Sequence, residues 1–154
     1  NFIRERTPSL LNTANEIFKA YNNYIKIVHY AEMSVIAAAI SLNAEAIVLD
    51  EKTTRFLIEN PKLILEILKK TLHIPISINE NNLKELNAKV KNIKTIRSIE
   101  LVAIAYEQGI LNDYITKIPN ARKNLLESVL WGVKLNGCAV SKEEIEQIIK
   151  LEAK

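Results

Sequence analysis

The stretch HYAEMSVIAAAISLNAEAIVLDEKTTR, from His29 to Arg55, decides how the chain is read. Ala31 to Leu42 has the spacing of a helix, and Ala31, Val35, Ala38, Ala39 and Leu42 are expected on its inner side. Asn43-Ala44 is a connection. Ala46 to Leu49 is a continuous apolar run, as expected of a strand covered on both faces. Asp50 closes that strand, and a further helix runs from about Glu51 to Glu59. Helix, strand, helix in this order predicts an α/β fold with mainly parallel strands. Glu32 falls in the first turn of the first helix and Asp50 at the strand end, so two carboxylates from different elements are expected to converge.

Upstream, Asn1 to Arg6 is a charged lead-in, and Thr7-Pro8 has the form of a helix start, with Thr as cap and Pro at the first helical position. Leu10, Leu11, Ala14, Ile17, Phe18 and Tyr21 recur at helical spacing. Asn22-Asn23 ends that helix, and Tyr24 to Val28 is β-branched enough to predict a strand. Downstream, Pro61 interrupts one helix and opens another, to about Thr71. Ile74 to Ile78 is a short strand, and Pro75 at its start suggests an edge position or a strand entrance. From Asn79 the chain is mostly helical. Leu83, Leu86 and Val90 form a narrow stripe in a Lys- and Asn-rich helix, which suits a plain surface helix ahead of an RNA-facing one. Thr95 to Gln108 is a stronger helix with Gly109 placed for a left-handed cap. A short helix at about 112–117 precedes another opened by Pro119 and broken by Asn136-Gly137. Ser141-Lys-Glu-Glu144 matches a capping box for the last helix.

The chain has 154 residues, 48% of them hydrophobic and 25% charged, with a formal charge of +3. That length suits one domain, and the composition suits a globular chain. Three glycines and four prolines argue against a turn-rich all-β design. The charge permits an anionic partner without demanding one. The single Cys138 excludes an intrachain disulfide and a Cys-based zinc site, and fits a reducing cytoplasm. No apolar run approaches the ~18 residues of a membrane span. His29 and His73 are too isolated for a metal pair or a triad. Neither an acyl-transfer serine motif nor a phosphate-cradling glycine loop exists.

Asp50 is placed where ligands bind in open parallel sheets, beyond the carboxyl ends of the strands. Oxygen donors without thiolates favour Mg²⁺ or Mn²⁺ over zinc. The competing reading of Asp50 is a helix cap, and that of Glu32 a solvated first-turn acid. Arg55, one turn past Asp50, suits a phosphate contact or an ion pair with Glu51 or Glu59.

His29-Tyr-Ala-Glu-Met-Ser34, the alanine-rich Ile36 to Ala39, and Ala46-Ile-Val-Leu-Asp-Glu-Lys52 with Arg55 together resemble the core of a PIN-like domain, in the branch that includes VapC-type toxins. Leu101 to Leu111 with Gly109, and Leu125 to Glu144 with Gly137 and Ser141, resemble that family's closing region. The likeness covers residues 25–78 and 96–151. It implies one domain over residues 1–154 with a helical insertion at 79–95, and a small parallel sheet flanked by helices in a Rossmann-like three-layer arrangement. It also implies Mg²⁺ or Mn²⁺ held by acids, cytoplasmic hydrolysis of RNA, an antitoxin-like protein partner, and a homodimer. Glu32 matches the family's helical acid, Asp50 the strand-end acid and Glu51 its less constant neighbour. Glu32 and Asp50 would be catalytic, Glu51 a third metal ligand, and Arg55 a substrate contact.

Two features depart from that pattern. Ala31 stands where a glycine is usual. The family's first acid ends an N-terminal strand that is not seen before the Thr7 helix. Either that strand lies upstream of Asn1, or the site does without that ligand. The first alternative favours a metal-dependent ribonuclease. The second favours a module that binds RNA or a protein without cleavage, and a purely structural helical partner protein is a third reading.

Overall fold

The computed structural model describes residues 2–152. The described residues form a mixed α/β protein, 64% helical, about twice the usual helical share. It divides between Thr95 and Ile96 into two compact units.

The N-terminal unit begins with α1 (Phe2–Asn15). The helix starts earlier than the sequence suggests and carries Pro8 inside it. Pro8 has no N–H to give the carbonyl one turn back, so the expected start at Thr7-Pro8 was plausible but misplaced. Thr7 is fully buried, and its hydroxyl donates to the Ile3 carbonyl at 2.7 Å. Next come β1 (Phe18–Ala20) and β2 (Asn23–Tyr24), joined by a tight turn with Tyr21 at φ 52°.

The expected strand from Tyr24 to Val28 stops at Tyr24. Ile25 N–H still donates to the Phe18 carbonyl of β1 at 2.9 Å, but at Ile27 and Val28 the backbone is held by a side chain instead of a neighbouring strand. Asn15 Oδ1 accepts from the N–H groups of Ile27 and Val28 at 2.8 and 3.1 Å, and Asn15 Nδ2 donates to the Val28 carbonyl at 3.0 Å. One amide therefore does locally what a ladder partner would do.

Helix α2 (Tyr30–Ser41) buries Met33, Ile36, Ala37 and Ala39. The expected inner side is corrected: Val35 and Leu42 are exposed. In an alanine-rich run the small residues do not mark a face; Met33, Ile36, Ala37 and Ile40, at i, i+3, i+4 and i+7, do. Asn43 (φ 50°) ends the helix in a Schellman turn, with Ala44 N–H to Ala39 carbonyl at 2.9 Å and Asn43 N–H to Ile40 carbonyl at 3.4 Å. The turn sends the chain straight back as β3 (Ala46–Val48).

Then follow α3 (Lys52–Glu59), α4 (Pro61–Leu72) with proline at its start as expected, β4 (Ile76–Ile78), α5 (Glu80–Val90) and β5 (Lys94–Ile96). The small parallel sheet expected from the sequence is present only as the pair β3–β5, opened by Lys94 N–H to the Glu45 carbonyl at 2.9 Å. The larger sheet, in the order β2–β1–β4, is antiparallel, with Phe18 opposite Ile78 and Lys19 opposite both Ser77 and Tyr24. β4 is an edge, as Pro75 suggested. Val48 is exposed, so β3 is not covered on both faces.

Helix α5 packs on α1 and buries Leu86 and Val90, giving it a share of the core rather than a surface role alone. Ile17, Phe18, Met33, Ile36, Leu57 and Leu86 are the large, fully buried side chains of this unit. Each contributes about 1.5–3 kcal/mol of burial.

The C-terminal unit contains α6 (Ser98–Glu107), a 3-10 turn (Asn112–Tyr114), α7 (Ala121–Leu135) and α8 (Lys142–Glu152). Ile99, Tyr106, Leu126, Leu130, Cys138, Val140 and Ile145 form its core, with Trp131 packed against it. Gly109 sits at φ 72° in a Schellman turn: Ile110 N–H donates to the Ala105 carbonyl and Gly109 N–H to that of Tyr106, both at 3.0 Å. A side chain there would be strained by the positive φ, whereas the amide end of the exposed Asn112, 2.8 Å from an added Cβ, can swing aside.

The Ser141–Glu144 capping box is formed, with Glu144 N–H to Ser141 Oγ at 3.1 Å and Ser141 N–H to Glu144 Oε2 at 2.8 Å. Arg97 adds a clamp, reaching Glu144 Oε1 through Nη1 and Glu100 Oε1 through Nε, each at 2.9 Å. The Ser141 N–H and then Arg97 pull the Glu144 carboxyl down to about 2. A carboxyl lowered on folding adds stability that is whole above its unfolded value of 4.5 and is lost as pH falls toward 2. Acid unfolding of this unit, followed by the fluorescence of Trp131, the chain's one tryptophan, should therefore steepen through that window. Glu144→Gln should flatten it; an unchanged acid limb would show that the box and clamp add nothing.

Candidate active site

The sequence-predicted site residues all lie in the N-terminal unit. Glu32 is in the first turn of α2. Its Oε2 is buried and has no hydrogen-bond partner. A carboxylate oxygen is costly to remove from water without a partner, about 1–3 kcal/mol or more when charged. Such an atom asks for a cation or a donor.

Asp50 follows β3. α2 and β3 lie against each other and are joined by the tight Asn43 turn. From Glu32 to Ser41 the helix rises ~14 Å at ~1.5 Å per residue. β3 returns from Ala46 to Val48, about 7 Å at ~3.3 Å per residue, and Asp50 lies two residues farther on.

Glu51, expected as a possible third ligand, is the N-cap of α3. Its Oε1 accepts from Thr53 N–H at 2.8 Å, and its Oε2 from Thr54 N–H at 2.6 Å and Thr54 Oγ1 at 2.7 Å. Burial would push this carboxyl up, but the Thr54 hydroxyl and the Thr54 and Thr53 N–H groups outweigh it and hold it below its ordinary value. Both oxygens are thus engaged in ordering the helix start. The capping role considered for Asp50 falls to its neighbour.

Arg55 does not pair with Glu51 or Glu59. Glu51 is engaged as described, and Glu59 accepts from the Thr95 hydroxyl. Arg55 Nε is buried without a hydrogen-bond partner. The guanidinium and the Lys52 ammonium each lie 5.4 Å from the centre of the Phe56 ring. Two cations on the first turn of α3 thus share one aromatic support. Lys52 has no role in the reading of the sequence; its position three residues before Arg55, at helical spacing, is the available signal.

Among the described residues, no three His, Cys, Asp or Glu side chains gather as a metal cluster. The chemistry at hand is one orphaned carboxylate oxygen on α2, a second acid at the end of β3, and a basic pair on α3. Carboxylate oxygens are the donors Mg²⁺ and Mn²⁺ prefer, so Glu32 and Asp50 fit such an ion by type. Compared with known proteins, the chain matches no family model, no curated protein and no solved structure at a significant level.

Proposed function

We propose that this chain is a PIN-like, metal-dependent ribonuclease, with the three-layer arrangement that its helix–strand–helix core resembles. The observation that carries the reading is the buried, unpartnered Oε2 of Glu32. It lies on the helix that is folded back against the strand leading to Asp50. Glu32 and Asp50 would hold Mg²⁺ or Mn²⁺. Such an ion lowers the pKa of water and offsets charge on phosphate oxygens. The chain's own contribution is to fix the two acids from separate elements and to set Arg55 and Lys52 as phosphate contacts. The core brackets that geometry through the fully buried Met33, Ile36 and Leu57.

A second reading, a PIN-like module that binds RNA or a protein partner without cleavage, is favoured by one observation. Glu51, the candidate third ligand, has both oxygens engaged in capping. A single-stranded RNA oligonucleotide incubated with the protein separates the two. Cleavage that requires Mg²⁺ or Mn²⁺ and stops in EDTA supports the nuclease. Binding without cleavage in either metal supports the module. The antitoxin-like partner, the homodimer and the cytoplasmic setting remain proposals that rest on the family resemblance.

A further inference from the structure

We propose that the cavity between the end of α1 and the start of α2 binds one nucleotide, recognised as a base with its phosphate. The cavity holds about 370 Å³, and its lining includes Asn12, Asn15, Glu16, Tyr24, Lys26, His29 and Tyr30. That size is within the range of small-ligand sites, roughly 300–1,000 Å³. The side chains of Asn12, Glu16, Lys26 and His29 make no hydrogen bond or ion pair among the described residues, whereas Asn15 is spent on the backbone of Ile27 and Val28. Tyr30 is 50% exposed and leaves ring surface uncovered, whereas Tyr24, 45% exposed, carries the Lys19 ammonium over its ring at 5.6 Å.

The uncommitted groups match the parts of a nucleotide. A tyrosine ring offers a stacking face to any base, and single-stranded bases are commonly held this way. The Lys26 ammonium suits the phosphate, and the His29 imidazole can donate to it. Asn12 offers a donor and an acceptor to a base edge. Glu16 accepts from ribose hydroxyls or an exocyclic amine and would repel a second phosphate, which favours a monophosphate unit. Asn15 makes the wall rigid, because it fixes the segment that carries Lys26 and His29.

The nucleotide is either free or one unit of a strand. For the strand case the inference rests on the nuclease reading, since His29 and Tyr30 lead directly to Glu32. The binding itself does not depend on that reading and is measured in EDTA, where no metal-dependent cleavage can intervene. Uridine and adenosine monophosphates, the two nucleosides, inorganic phosphate and a short oligouridylate are titrated into the protein, and the NMR signals of His29 and Tyr30 are followed.

The monophosphates should give saturable shifts and bind about tenfold or more tightly than nucleoside or phosphate alone. Tyr30→Ala should weaken binding about tenfold. Lys26→Gln should weaken it and lower its salt dependence. Both residues are exposed, and unchanged circular dichroism would confirm that the variants fold. Tighter binding of the oligouridylate assigns the site to a strand; equal affinity assigns it to a free nucleotide. The absence of saturable shifts at His29 and Tyr30 with every probe would overturn the inference, as would affinity unchanged in both variants. Cleavage without nucleotide binding here would remove the cavity proposal alone, and binding here without cleavage would remove the nuclease alone.

Discussion

Asp50→Asn is expected to lower metal-dependent RNA cleavage by at least about a hundredfold, or ~2.7 kcal/mol in transition-state stabilisation. The substitution keeps size and shape but removes the charge that a hard cation needs. Groups that merely support a metal ligand already change activity or metal affinity about 10–100-fold when lost, so a direct ligand should exceed the lower part of that range. Helix capping offers no competing explanation, because Glu51 caps α3 through its own two oxygens. The check is kcat/KM for an RNA oligonucleotide alongside the urea midpoint of the same variant. A hundredfold loss with an unmoved midpoint supports a catalytic acid. Cleavage within about twofold of wild type would reduce Asp50 to a turn residue.

Asn15→Ala is expected to cost about 2–4 kcal/mol in the stability of the N-terminal unit. Three hydrogen bonds to the backbone vanish at once. Val28 is buried, and each unsatisfied backbone group left away from water costs about 1–3 kcal/mol. The measurement is urea unfolding by circular dichroism, with hydrogen exchange at the Ile27 and Val28 amides. Both amides should lose protection before the rest of the unit. The same substitution should weaken nucleotide binding, because Lys26 and His29 ride on the segment it frees. A loss below about half a kcal/mol would mean that the apolar contacts of Ile25, Ile27 and Val28 hold the segment by themselves.

Much of the architecture was legible because it follows from local chemistry. Pro61 opens a helix because its fixed φ and missing N–H suit that position. Gly109 and Gly137, both at positive φ, stand one residue past a helix C-cap, where side chains are strained. Ser141 and Glu144 form their reciprocal cap because the spacing of three brings each onto the other's N–H. Glu32 lies in the first turn of α2 and Asp50 just past the end of β3, as the residue order implies.

What was not legible depended on partners distant in sequence. The strand expected at Tyr24 to Val28 had the right residue types, but its ladder was replaced by the amide of Asn15, which nothing in a local window reveals. Strand direction also escaped, since Phe18 pairs with Ile78 sixty residues away, and the apolar patterns of short antiparallel and parallel strands overlap. The buried side of α2 was misjudged because alanine fits either face; the bulk of Met33 and Ile36 decides it. Glu51 read as a metal-ligand candidate and emerged as a cap, because the following Thr53-Thr54 pair supplies two N–H groups and a hydroxyl within its reach. The basic pair of Lys52 and Arg55 around Phe56 became visible only as a contact of one ring with two neighbours.

The proposal turns on whether the buried oxygen of Glu32 is there to meet a cation. Mn²⁺ titrated into wild type and Glu32→Gln, followed by electron paramagnetic resonance, measures this directly. Wild type should bind one ion, and Glu32→Gln should bind it at least about tenfold more weakly while keeping the same unfolding midpoint or a higher one, since the neutral amide is cheaper to bury. Equal Mn²⁺ affinity in the two proteins, or no saturable binding in either, would contradict the metal site and with it the nuclease.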